Sequence, residues 1–111
     1  MPLTRLATAV ALCIAIRTAG GQAIANGHVR AVFDDRGLHS LTDLRDRREY
    51  AFERDGFSVT VDNETLTSES LARPVRSVGP RLVSYRYTAG SWTLTVRYEL
   101  RPDWAFVSKQ I

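Results

Sequence analysis

Residues 92–100 (WTLTVRYEL) alternate without a break. Trp92, Leu94, Val96, Tyr98 and Leu100 fall on one side, and Thr93, Thr95, Arg97 and Glu99 on the other. Period-two alternation in a segment rich in aromatic and β-branched residues predicts a half-buried strand. Residues 81–88 (RLVSYRYT) repeat the pattern, with Val83, Tyr85 and Tyr87 sharing a face. Between the two lies Ala89-Gly90-Ser91, a short glycine-containing connection that predicts a hairpin.

Shorter pieces upstream follow the same rule. Residues 28–34 (HVRAVFD) alternate through Val29, Ala31 and Phe33, reach a turn at Asp35-Arg36-Gly37, and return over 38–44 (LHSLTDL). A charged connection spans 43–48, and a short strand is predicted over 49–52 with Tyr50 and Phe52 on one side. Asp55-Gly56 is a turn dipeptide, 57–61 (FSVTV) alternates again, and Asp62-Asn63-Glu64 reads as a further turn. Residues 74–78 suit an edge strand, Gly79-Pro80 breaks it, and Arg101-Pro102-Asp103 ends the long strand before a new one over 105–111. Seven to nine short strands, with no sustained helical period, predict an all-β fold: an antiparallel β-sandwich or barrel.

The first two dozen residues obey a different grammar. A basic start over 1–5 precedes an apolar run over 6–16 (LATAVALCIAI), which gives way to small and polar residues with Gly20 and Gly21. Those three parts make a signal peptide. The run is too short to span a bilayer, which takes roughly 20 apolar residues. Small residues allow cleavage after Ala23 or after Ala25, and cleavage after Ala23 leaves Ile24 to begin the folded part. The expected organisation is a signal peptide over 1–23 and a β-sandwich domain over 24–111, secreted or periplasmic, with no membrane span after cleavage. Cys13, the single cysteine, lies in the apolar run, so the mature chain is expected to hold no disulfide.

Removal of that peptide also changes the charge. The chain has 15 Lys+Arg against 12 Asp+Glu, and losing Arg5 and Arg17 leaves a net +1. The remaining arginines are interleaved with acids from Asp34 to Asp55, which makes a solvated face rather than a phosphate-binding stripe, and no nucleic acid partner is expected. Lys109 is the only lysine, a bias we attribute to composition.

Little here assembles into catalytic chemistry. His28 and His39 are separated by a turn, with no cysteine or close carboxylate spacing to complete a metal set. Asp34 and Asp35 are adjacent, whereas glycosidase acids must flank a bond about 5–10 Å apart, so turn formation accounts for them better. No serine sits in a nucleophile elbow and no glycine-rich phosphate loop is present. No catalytic, cofactor-binding or metal-binding residue is therefore assigned. Trp92, Tyr85, Tyr87 and Tyr98 occupy alternating positions that favour core packing. Trp104 follows the Pro102-Asp103 turn and is the one candidate carbohydrate or interface contact, although packing is favoured for it too.

The runs Asn26-Gly27-His28-Val29, Phe33-Asp34-Asp35-Arg36-Gly37-Leu38 and Leu41-Thr42-Asp43 resemble the opening strands of the galactose-mutarotase-like β-supersandwich. That domain precedes the catalytic barrel in many secreted glycoside hydrolases of the alpha-galactosidase and alpha-glucosidase kind. Tyr98-Glu99-Leu100-Arg101-Pro102 followed by Trp104, Phe106, Val107 and Lys109 fits its pattern of long strand, corner and next strand. The resemblance implies a non-catalytic, amino-terminal portion of an exported carbohydrate-active enzyme, with a downstream catalytic domain as partner and a contribution to carbohydrate binding. The family's catalytic acids lie in the barrel, so none is carried over. Residues 105–111 read as a strand with nothing later to pair with, which carries the expectation that the domain continues beyond Ile111 in a longer parent. The alternative is a stand-alone secreted β-sandwich that binds a glycan or a protein.

Overall fold

The computed structural model describes residues 22–111, so the apolar run over 6–16 and Cys13 lie outside the described residues. Two four-stranded antiparallel sheets and one hairpin make up the fold. The first sheet is a meander of β1 (Gln22–Ala25), β2 (Val29–Phe33), β3 (Leu38–Asp43) and β4 (Arg48–Ala51). β5 (Ser58–Val61) and β6 (Glu64–Thr67) form the hairpin. β7 (Val75–Val78), β8 (Leu82–Ala89), β9 (Trp92–Glu99) and β10 (Ser108–Gln110) form the second meander. The all-β antiparallel class predicted by the alternation is the class observed.

The central pair is β8 and β9, in register from Leu82↔Glu99 to Ala89↔Trp92. Val83, Tyr85 and Tyr87 meet Tyr98, Val96 and Leu94 on one face, as the alternation requires. The loop is two residues, Gly90-Ser91, and Gly90 takes φ +62°, the left-handed value that a type II′ hairpin needs at its first position. Opposite this face, β2 turns Val29, Ala31 and Phe33 inward, and β1 adds Ile24. The Phe33 and Tyr98 rings meet edge-on at 5.0 Å, so the two sheets pack face to face around one core. The hairpin lies against the same core, with the Phe57 ring edge-on to Tyr87 at 5.0 Å.

Several details depart from the sequence expectation. Ten strands form among the described residues. β1 was not predicted, because Gln22–Ala25 carries one large apolar residue only. β6 replaces part of the expected turn: Asp62 and Asn63 both take positive φ (51° and 66°), making a tight two-residue loop, and Glu64 already pairs with Val61. Its single large apolar residue, Leu66, is buried, too little signal for an alternation test. The strand expected over 105–111 shortens to β10 and is not without a partner, since Ser108, Lys109 and Gln110 pair with Glu99, Tyr98 and Arg97. Trp92 lies on the predicted face but at its hairpin end, where the core has run out, and stays 44% exposed. Of the two expected processing points, a cut after Ala25 would remove Ile24 from the core, whereas a cut after Ala23 removes, of the described residues, only the exposed Gln22 and Ala23.

At the β1–β2 connection, Asn26 does more than turn the chain. Its Oδ1 accepts from the His28 and Val29 backbone N–H groups at 2.8 and 2.9 Å. Its Nδ2 donates to the Arg101 and Trp104 carbonyls, both at 2.7 Å, and so joins the first sheet to the corner between β9 and β10. Gly27 beside it has open space around the position a Cβ would take. Asn26→Ala should therefore cost about 2–3 kcal/mol, the net worth of three half-buried hydrogen bonds and one exposed one. Gly27→Ala should stay within about 0.5 kcal/mol. Urea unfolding of the two variants followed by tryptophan fluorescence checks the contrast.

Candidate functional site

The β2–β3 turn is built by Asp34, whose Oδ1 accepts from the Arg36 and Gly37 N–H groups at 2.8 and 3.0 Å. This side chain closes an Asx turn, the role its sequence position suggested over a catalytic one. Its backbone carbonyl receives the Tyr85 hydroxyl and Arg76 Nη1, both at 2.6 Å, so the turn is tied to β8 and β7.

Asp55, in the loop between β4 and β5, reaches the same end of the sandwich. One carboxylate oxygen, Oδ2, accepts from the Leu38 N–H at 2.8 Å and from the Tyr98 hydroxyl. The other, Oδ1, accepts from Lys109 Nζ at 2.8 Å, and that ammonium also donates to the Gly56 carbonyl at 2.7 Å. The chain's only lysine is thus placed on β10, 5.8 Å from the Tyr98 ring centroid. Gly37 makes room for this arrangement. A Cβ there would come within 2.7 Å of Asp55 Oδ2 and 3.2 Å of the Tyr98 hydroxyl, and the residue takes φ +153°.

Beside these ties opens a cleft of about 220 Å³. Arg36 and Gly37 of the β2–β3 turn, Phe52, Glu53 and Asp55 of the following loop, and Tyr87 of β8 contribute to it. Arg54 and Glu69 pair across its rim at 2.7 Å. Tyr87 is buried at 3% exposure, Gly37 is buried too, and Phe52 is 37% exposed. The three inward tyrosines of the second sheet therefore differ. The hydroxyls of Tyr85 and Tyr98 are engaged with Asp34 and Asp55, whereas no group among the described residues hydrogen-bonds that of Tyr87.

Burial raises all three phenols. Tyr85 is pushed up to about 12, chiefly by desolvation, with the Arg76 hydrogen bond and charge opposing. Tyr98 is pushed further, by desolvation first and then by its hydrogen bond to the Asp55 carboxylate and that group's charge. Tyr87 is raised by desolvation, with the nearby Arg36 charge opposing.

The residues singled out in the sequence fall elsewhere. His28 precedes β2 and His39 lies at the start of β3 beside the turn, at opposite ends of one hairpin; His39 Nδ1 stands 3.8 Å from Asp34 Oδ2. Among the described residues, no three His, Cys, Asp or Glu side chains form a group able to hold a metal ion. Trp104 is half-buried against the core, with the Phe106 ring stacked on it at 4.6 Å and the Arg101 guanidinium 5.0 Å from its centroid. Packing, the favoured role, uses the indole, and the aromatic left in the open is Phe106 at 52% exposure. Arg36, Phe52, Glu53 and Tyr87 were not singled out as a site. The one available signal was three inward tyrosines, more hydroxyls than an apolar core calls for. Comparison with protein-family models, with curated proteins and with solved structures finds no match.

These tyrosines set a stability limit at high pH. Burial pushes Tyr85 up from its ordinary 10.0 to about 12, so the folded state holds its proton more tightly. The contribution is whole below pH 10.0 and lost as pH rises toward about 12. The melting temperature should be flat on the neutral side of this window and fall across it, in step with tyrosinate absorbance. Ionisation of Tyr85 and Tyr98 well before unfolding would contradict the assignment.

Proposed function

We propose that this chain is the non-catalytic β-sandwich portion of an exported carbohydrate-active enzyme, a glycoside hydrolase. In this reading it supports and orients a downstream catalytic domain and contributes to carbohydrate binding. The observation that carries it is the use made of the polar side chains at the ends of the sheets. Asp55, Asp34 and Asn26 hold turns and join sheets, and the hydroxyls of Tyr85 and Tyr98 complete them. A carboxylate fixed by three hydrogen bonds to the fold is a structural group, not a general acid free to meet a glycosidic oxygen. The apolar run over 6–16 and its small-residue exit support export. Among the described residues no helix is long and apolar enough to cross a membrane.

A stand-alone secreted module that binds a glycan or a protein is the second reading. The exposed Phe106 ring stacked on Trp104 favours it, because a flat aromatic face can stack on a sugar ring.

Antibody against this domain distinguishes the two in medium or periplasm from the producing cells. Immunodepletion should remove a glycosidase activity measured on aryl glycosides, with the antigen in a species larger than 12.4 kDa. Antigen recovered as the small domain alone, with every glycosidase activity left behind, would reject the first reading.

A further inference from the structure

We infer that the free edge of β7 is a self-pairing surface, along which two copies of this chain join antiparallel with Ser77 facing Ser77 of the second copy.

Hydrogen-bond phase fixes what this edge offers. β7 pairs with β8 from Val75↔Arg86 to Val78↔Val83, and one step further the Gly79 N–H donates to the Leu82 carbonyl at 2.7 Å. Antiparallel pairs alternate between those that exchange hydrogen bonds and those that do not. Val75 and Ser77, in phase with Gly79, therefore bond to β8, while the backbone N–H and C=O groups of Arg76 and Val78 point away from it. On the other side of β8, the Leu100 N–H on the Arg81 carbonyl at 2.9 Å sets the same phase. Among the described residues β8 is the one strand beside β7, and those outward groups have no partner.

An open edge is a template for another strand unless charge, proline or shortness guards it. β4 carries Arg48 and Glu49, and β10 has three residues. In β7, Val75 is 60% and Val78 44% exposed. Its one charge, Arg76, points inward, which would guard the edge if an added strand buried it unpaired. Its Nη1 already donates to the Asp34 carbonyl at 2.6 Å, so that guard is weak.

The register follows from symmetry. Opposed residues of an antiparallel pair share a face, so a two-fold axis centres on one residue. Centring on Val75 or Val78 sets Arg76 opposite Pro74 or Pro80, neither of which has an N–H. Centring on Arg76 sets like charges opposite each other. Centring on Ser77 sets Arg76 opposite Val78 of the second copy, and Val78 opposite its Arg76. Each of these pairs exchanges two hydrogen bonds, which satisfies every outward N–H and C=O of both edges. The edge is thus complementary to itself, which identifies the occupant as a second copy, and none of this rests on the carbohydrate reading.

The test is amide hydrogen exchange by NMR on the purified exported protein, with sedimentation velocity on the same samples. The concentration series runs to millimolar protein, because so small a contact is weak. The Arg76 and Val78 amides should gain protection as the dimer forms, while that of Ser77, held by β8 throughout, should not respond. Val78→Pro removes an edge donor without touching the β8 ladder and should leave a folded monomer. Ser77→Cys is an independent readout if that variant folds poorly. Opposed residues of a non-hydrogen-bonded pair have Cα atoms about 4.5 Å apart, within the disulfide range of about 4.4–6.8 Å. Mild oxidation should therefore cross-link Ser77→Cys and not Thr95→Cys, an exposed position on β9. A monomer at every concentration, with Ser77→Cys cross-linking no faster than Thr95→Cys, would overturn the proposal. Protection of Arg76 and Val78 that does not change with concentration would also overturn it, since another segment or partner would then cover the edge.

Discussion

Among the described residues every strand pairing joins neighbours in sequence, so no backbone ladder there connects the first meander to the second. Apolar packing of Phe33 against Tyr98 and their neighbours presses the two sheets together but does not fix how they are aligned, because hydrophobic contact is non-directional. Alignment falls to directional side-chain hydrogen bonds, and the densest set converges on Asp55. Its carboxylate holds Leu38 of β3, Tyr98 of β9 and Lys109 of β10 at once. A hydrogen bond to a charged group contributes about 1.5–3 kcal/mol, more than a neutral one. Three such bonds on one half-buried side chain form a joint on which the mutual position of both sheets depends.

Other features follow from that joint. Gly37 is required because any side chain would occupy the path by which Asp55 reaches Tyr98. Lys109 aligns β10 on β9 with its ammonium at the carboxylate, which secures a strand of only three residues. The β2–β3 turn is held at the same end by Tyr85 and Arg76 on the Asp34 carbonyl. With the turn and the loop both anchored, the gap between them has fixed walls, and Tyr87 lines it. The cleft is thus a by-product of how the sheets are locked, and the anchoring groups Asp34, Gly37 and Asp55 are themselves part of its lining.

The strands were legible wherever the chain alternates over a long stretch. β8 and β9 were readable with their faces and hairpin, because eight residues of strict period two leave little else to fit. β1 and β6 were not, because each buries a single large side chain, Ile24 or Leu66, and one residue has no period. The turn role of Asp34 was legible from local spacing. Asp55 looked like one more turn former in Asp55-Gly56, since its partners lie 17, 43 and 54 residues away and only folding brings them together. Lys109 was dismissed as composition for the same reason. Tyr87 was assigned to the core, correctly by burial, but period two cannot say which of three inward hydroxyls finds a partner.

A double-mutant cycle on Asp55→Ala and Tyr98→Phe, read by denaturant unfolding, isolates this joint from the burial that both residues share. Each single substitution should destabilise the protein, and the double should cost less than their sum by about 1.5–3 kcal/mol, the coupling of a charge-assisted hydrogen bond. Additive effects within about 0.5 kcal/mol would show that the two sheets are aligned by packing alone, and the account built on Asp55 would be wrong.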